Sequence, residues 1–134
     1  MKPKIYTRLD GVVYAKVSID NEYNCIMDIW EGPFGSQENF RNVLKDIGDL
    51  IVKKGITRWL ADLRNLQGSF DSSSDFLLEE IMPRVIRSGL LREAVVLPKD
   101  IFSKLSATDA IKRLNNFEIR QFDDLEKAKE WLYN

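Results

Sequence analysis

Thr57-Arg58-Trp59-Leu60-Ala61-Asp62-Leu63 is a short, largely apolar run. It is too brief for an ordinary helix and lacks strict alternation, which suits a strand inside a sheet covered on both faces. Immediately before it, Phe40, Val43, Leu44, Ile47, Leu50 and Ile51 recur at helical spacing and form one apolar stripe. Ser36 stands where an N-cap belongs. Gly55 is a natural stop after Lys53 and Lys54, whose charges suit the negative end of the helix dipole. A helix that feeds directly into a buried strand is half of a β-α-β unit, so this segment predicts an α/β fold.

Upstream the period is two. Val13, Ala15, Val17 and Ile19 alternate with Tyr14, Lys16 and Ser18, as in a strand with one buried face. After the polar Asp20-Asn21-Glu22, the run Cys25 to Trp30 resumes a strand pattern until Gly32-Pro33, giving an opening β-hairpin. Ile5-Tyr6-Thr7 adds a short edge strand.

Downstream, Asp71 to Ser74 starts a second helical region carrying Phe76, Leu77, Ile81, Met82, Val85 and Ile86. Pro83 lies inside it. Proline has no N–H to donate and clashes with the preceding turn, so a kink or break is expected near Met82. Glu93 to Leu97 reads as a strand. Ile101, Phe102, Leu105, Ile111 and Leu114 then give a third helical region, recapped at Ser106, and Glu118 to Phe122 a last strand. In the closing helix Asp123 and Glu126 resemble a capping box, and Leu125, Ala128, Trp131 and Leu132 form the buried stripe. The expectation is one domain spanning residues 1–134: a mixed sheet of about four to five strands, largely parallel after the hairpin, with four helical segments.

The composition narrows the function classes. Twenty basic against 21 acidic residues leave a net charge of −1, so no global field attracts a polyanion, and neither nucleic acid nor an anionic membrane is an expected partner. The segment Met1 to Arg8 lacks the apolar run of a secretory signal, and the aliphatic stretches, such as Ala94 to Leu97, are strand-sized rather than membrane-spanning. One cysteine, Cys25, cannot form an internal disulfide, which fits a cytoplasmic location. The chain has no histidine, which removes the commonest general base near neutral pH and the commonest metal ligand. No metal, cofactor or catalytic residue is expected.

Two local sequences resemble the STAS superfamily, in particular the SpoIIAA-like small bacterial proteins related to anti-sigma-factor antagonists. The first is Trp59 to Leu66 followed by Phe70-Asp71-Ser72-Ser73-Ser74-Asp75-Phe76. In the antagonists an Asp-Ser-Ser-Gly-Leu-Gly turn opens a helix and its first serine is phosphorylated. Asp71 and Ser72 match those positions, while Ser74 and Phe76 stand at the two glycines. The second is the tail Phe122 to Leu132, similar to the family's closing strand and Ala-x-x-Trp-Leu helix. The resemblance implies a non-enzymatic regulatory module that binds a protein partner, with Ser72 as a phosphorylation candidate. Its fold-level likeness to the lipid-binding CRAL-TRIO proteins implies an alternative, a carrier or sensor of a small apolar ligand held between helices and sheet.

Other residues complete the candidate set. A phosphate on Ser72 would face Asp71 and Asp75, altering an external surface that also includes Ser73; the plainer reading is that Asp71 and the serines cap a helix. Arg84 and Arg87 share a helical face and offer a carboxylate or phosphate contact, or else pair locally with Glu79 and Glu80. Asp62, Arg64 and Asp71 bracket a strand end, where open α/β sheets place ligands. Cys25 reads as an inert buried thiol. Trp30, Trp59 and Trp131 read as core, or as the wall of an apolar cavity.

Overall fold

A computed structural model describes residues 2–134. Six strands form one sheet in sequential order: β1 (Lys4–Thr7), β2 (Val13–Asp20), β3 (Cys25–Pro33), β4 (Arg58–Gln67), β5 (Arg92–Val96) and β6 (Glu118–Phe122). β1, β2 and β3 pair antiparallel, and β3 through β6 pair parallel. The expected mixed sheet is present, with β1 making the strand count six. β1 and β6 are the edges, both short and mostly exposed.

Each parallel connection carries a helical segment: α1 (Gln37–Lys54), α2 (Met82–Ser88) and α3 (Ile101–Arg113). All three crossovers step in the same direction across the sheet. A constant right-handed crossover therefore puts their helices on one face. The opposite face is covered by the closing helix α4 (Leu125–Tyr133), packed on Cys25, Leu60, Ala94 and Val96. A bulge in β4, opposite Ile29–Glu31, shifts the strand's parity so that Leu63 and Leu66 both reach the larger core.

Both expected ends of α1 are present. Ser36 Oγ accepts from the Asn39 amide at 3.1 Å, and Gly55 closes the helix in the left-handed region at φ 62°, its N–H donating to the Ile51 carbonyl. The expected break near Met82 takes a definite form. A 3₁₀ turn at Asp71–Ser73 leads into a π-helical segment, Phe76–Ile81, and α2 begins at Met82 with Pro83 in its first turn. The wider π turn accommodates a residue that has no N–H and would crowd the preceding carbonyl.

Two helix starts differ from expectation. Asp124, not Asp123, caps α4, accepting from the amides of Glu126 and Lys127. α3 is not recapped at Ser106. It runs unbroken from an Asp100 cap and turns a small-residue face inward: Ser103, Ser106, Ala107 and Ala110 are buried, while Ile101, Phe102 and Leu105 are exposed. Three of the apolar residues that mark this helix in the sequence thus face outward. The buried serines are satisfied locally, because Ser103 donates to the carbonyls of Leu66 and Gly68 and Ser106 to Asp71. No described helix is long and apolar enough to cross a membrane.

Candidate functional site

Beneath α1, the π segment and α3 lies a cavity of about 60 Å³. Strand alternation directs Asp28 and Trp30 of β3, Trp59 and Ala61 of β4, and Glu93 and Val95 of β5 onto the same face to form its floor. Phe40, Leu44, Phe70, Leu77, Ala107 and Ile111 are among the residues that roof it. An apolar wall interrupted by two acids is unusual, because an isolated carboxylate away from water is strongly disfavoured.

The two acids are treated differently. Asp28 is 2% exposed and accepts a hydrogen bond from each of two indoles, Trp30 Nε1 and Trp59 Nε1, both at 2.7 Å. Burial pushes its carboxyl up to about 6; the indole donors oppose that rise, and the charge of Asp62 adds to it. Glu93 is 6% exposed and has no hydrogen-bond partner among the described residues. Burial raises its carboxyl well above the usual range, and the charge of Asp28 adds to the effect. No fully sealed side-chain polar atom among the described residues lacks a partner, which places the free carboxyl of Glu93 against the open cavity space. Trp30 and Trp59, read from the sequence as core or as the wall of an apolar cavity, line it, whereas the acids were not legible as lining. Glu93 reads in sequence as the first residue of a strand, and Asp28 as the polar member of an alternating pattern.

The turn after β4 is a second region of interest. Ser72 and Asp71 are exposed at the start of the 3₁₀ turn. Ser73, expected on the partner surface, is instead fully buried: its hydroxyl donates to Gln37 Oε1 at 2.6 Å and accepts from Arg41 at 3.3 Å. Ser74 is buried as well, leaving Ser72 as the exposed serine of the three. Ser69 Oγ accepts from the Asp71 amide at 3.2 Å, while the Asp71 carboxylate caps no amide of the turn and takes another role. Asp71 accepts from Ser106 Oγ at 2.7 Å, and Ser106 Oγ accepts from the Phe70 amide at 3.1 Å, locking the turn to α3. Asp75 pairs with Arg113 at 2.8 Å, also on α3. The turn and the exposed Ile101, Phe102 and Leu105 therefore belong to one continuous end of the molecule.

The remaining candidates are dispersed. Arg84 pairs with Asp49 of α1 at 2.8 Å rather than with Glu79 or Glu80, and Arg87 is exposed. Asp62 is buried on the α4 face and takes both Nε and Nη2 of Arg64, at 2.9 and 2.8 Å; Asp71 is tied instead to α3. Cys25 is buried, and burial pushes its thiol up to about 12. Trp131 stands apart from the other tryptophans, on α4 beneath Arg92 and Arg120. Among the described residues no cluster of three or more cysteines and carboxylates is placed to hold a metal ion.

A mixed six-stranded sheet with its crossover helices on one face, a closing helix on the other and an exposed serine turn after β4 defines a STAS-type α/β domain. Sequence comparison makes the assignment specific. The SpoIIAA-like family profile matches residues 30–133, and the chain belongs to that family. Membership supports a regulatory or protein-binding role in general. No curated protein matches the chain.

Proposed function

We propose that the chain is a non-enzymatic regulatory module that docks a protein partner through the outer face of α3 and the adjoining Asp71–Asp75 turn, with Ser72 as a phosphorylation switch. The carrying observation is the inversion of α3. Ile101, Phe102 and Leu105 are 58%, 63% and 58% exposed on one helical face, beside the serine turn that Ser106 anchors. Adjacent exposed apolar side chains with a polar rim are the surface character of an interaction site. A phosphate on Ser72 would add about −1.5 to −2 charges next to Asp71 and Asp75 and oppose an apolar or acidic partner. The test is differential capture from native lysate. Phe102→Asp and Ser72→Asp should each lose a protein that wild type retains, while Leu91→Asp, at the opposite end of the sheet, should keep it. Capture unchanged by either of the first two, or equally lost with the third, refutes the assignment.

The cavity favours a second reading, a sensor of a small, mainly apolar molecule. At about 60 Å³ it is well under half the roughly 150 Å³ of an apolar cavity that takes up benzene, so a compact ligand suits it and an acyl chain does not.

A further inference from the structure

Glu93 sets a specific chemical demand on whatever occupies the cavity. Its carboxyl is enclosed, faces the void and is met by no donor among the described residues. Asp28 lies two strands away on the same face, and its two acceptor oxygens are engaged by Trp30 and Trp59. Among the described residues no lysine or arginine lines the space. The site thus sets an unpartnered carboxyl beside the charge of Asp28 in an apolar enclosure with no compensating cation among the described residues.

We infer that the cavity binds a small primary amine in its ammonium form, with the nitrogen donating to Glu93 in the field of Asp28. This rests on the small-ligand reading above. A neutral acceptor, such as a carbonyl, would satisfy a protonated Glu93 but leave Asp28 uncompensated. An ammonium group answers both acids, because it supplies three donors and a positive charge. The walls fit the same ligand. Phe40 and Phe70 stack at 4.6 Å between centroids, and with Trp30 and Trp59 they offer aromatic faces that attract a cation as well as its hydrocarbon tail. The volume restricts the tail to one or two carbons.

The indole N–H groups report directly on the site, since two of them bond Asp28 while Trp131 is remote. The experiment titrates ethylammonium chloride, ethanol and sodium chloride separately into protein labelled with nitrogen-15 at tryptophan, near pH 7. Ethylammonium should shift the Trp30 and Trp59 indole signals and spare Trp131. Its affinity should exceed that of ethanol by at least about tenfold, the worth of one hydrogen bond to a charged group. In Glu93→Gln that preference should vanish. If ethanol binds as well as the ammonium ion, or the preference survives in Glu93→Gln, the amine inference is overturned while small-ligand binding stands. If neither compound moves the two indole signals, both fail. The wild-type comparison remains decisive even if the variant does not fold.

Discussion

On the α4 face of the sheet Asp62 is buried with a guanidinium against both of its oxygens, whereas on the other face Asp28 meets two indoles and Glu93 meets open space. The α4 face is closed by Leu60, Ala94, Val96, Ala128 and Leu132, all fully buried. The opposite face has more helices above it and yet retains a void. The difference lies in what the covering helices present. α4 sets Leu132 and Ala128 onto the sheet, while α3 contributes serines and alanines and leaves its large side chains outside. One face is organised for stability, and the other tolerates both unfilled space and an unpartnered carboxyl.

Truncation should show this contrast most strongly. Leu60→Ala, on the sealed face, is expected to cost about 3 kcal/mol in urea denaturation. Leu77→Ala, half-buried above the existing void, should cost about 1 kcal/mol, because a partly exposed side chain gives up less buried apolar area on truncation. Equal losses would erase the distinction between the faces.

The next largest effect concerns Asp28. Trp59→Phe keeps the ring but removes one of its two donors, with an expected loss of about 2 kcal/mol. The Asp28 carboxyl should titrate above its present value of about 6, which carbon-13 NMR of the side chain would follow. An unchanged titration would mean that the indoles do not hold the charge.

Acidity offers a third probe. Asp28 and Glu93 both have folded-state values raised above their unfolded ones. The folded state therefore binds more protons, and their contribution is full below the unfolded values and lost as pH rises through the folded ones. Asp10, Asp46 and Asp100 are shifted downward and act in the opposite sense, at lower pH. Between pH 5 and pH 8 the stability should thus fall, by about 1–2 kcal/mol. Glu93→Gln should flatten the slope in thermal melts across that range; an undiminished slope would remove Glu93 from the account. The smallest effect belongs to the exposed turn, where Ser72→Asp should change stability by less than about 0.5 kcal/mol. A larger loss would mean that this serine supports the fold rather than signals from it.

Much of this architecture can be read from local chemistry. The stripe and caps of α1, the hairpin, the buried run of β4 and the disruption at Pro83 each follow from residues that interact with near neighbours in the chain. α3 resisted the same treatment because its orientation depends on distant partners. Ser103 and Ser106 are drawn inward by carbonyls of Leu66 and Gly68 and by Asp71, and hydrophobic periodicity has no means of weighing such bonds. Ser73 follows the same logic through Gln37 and Arg41. The cavity was foreseeable only as a space between layers. Its acids come together through strand register: Glu93 opposes Trp59, and Asp28 opposes Ala61 two residues further along β4. No spacing rule within one strand reveals that arrangement.

The outermost strands have a bearing on how the molecule meets its surroundings. β1 is brief and carries Lys4, joined to Asp46 at 2.6 Å, and β6 displays Glu118, Arg120 and Gln121 to solvent. A foreign chain seeking to extend the sheet would find little backbone to join and charged side chains in its path. Self-association through a growing ribbon is thereby discouraged at both margins. Recognition is left to helix flanks and turns, where a single substitution or modification can alter it without disturbing the ladder beneath.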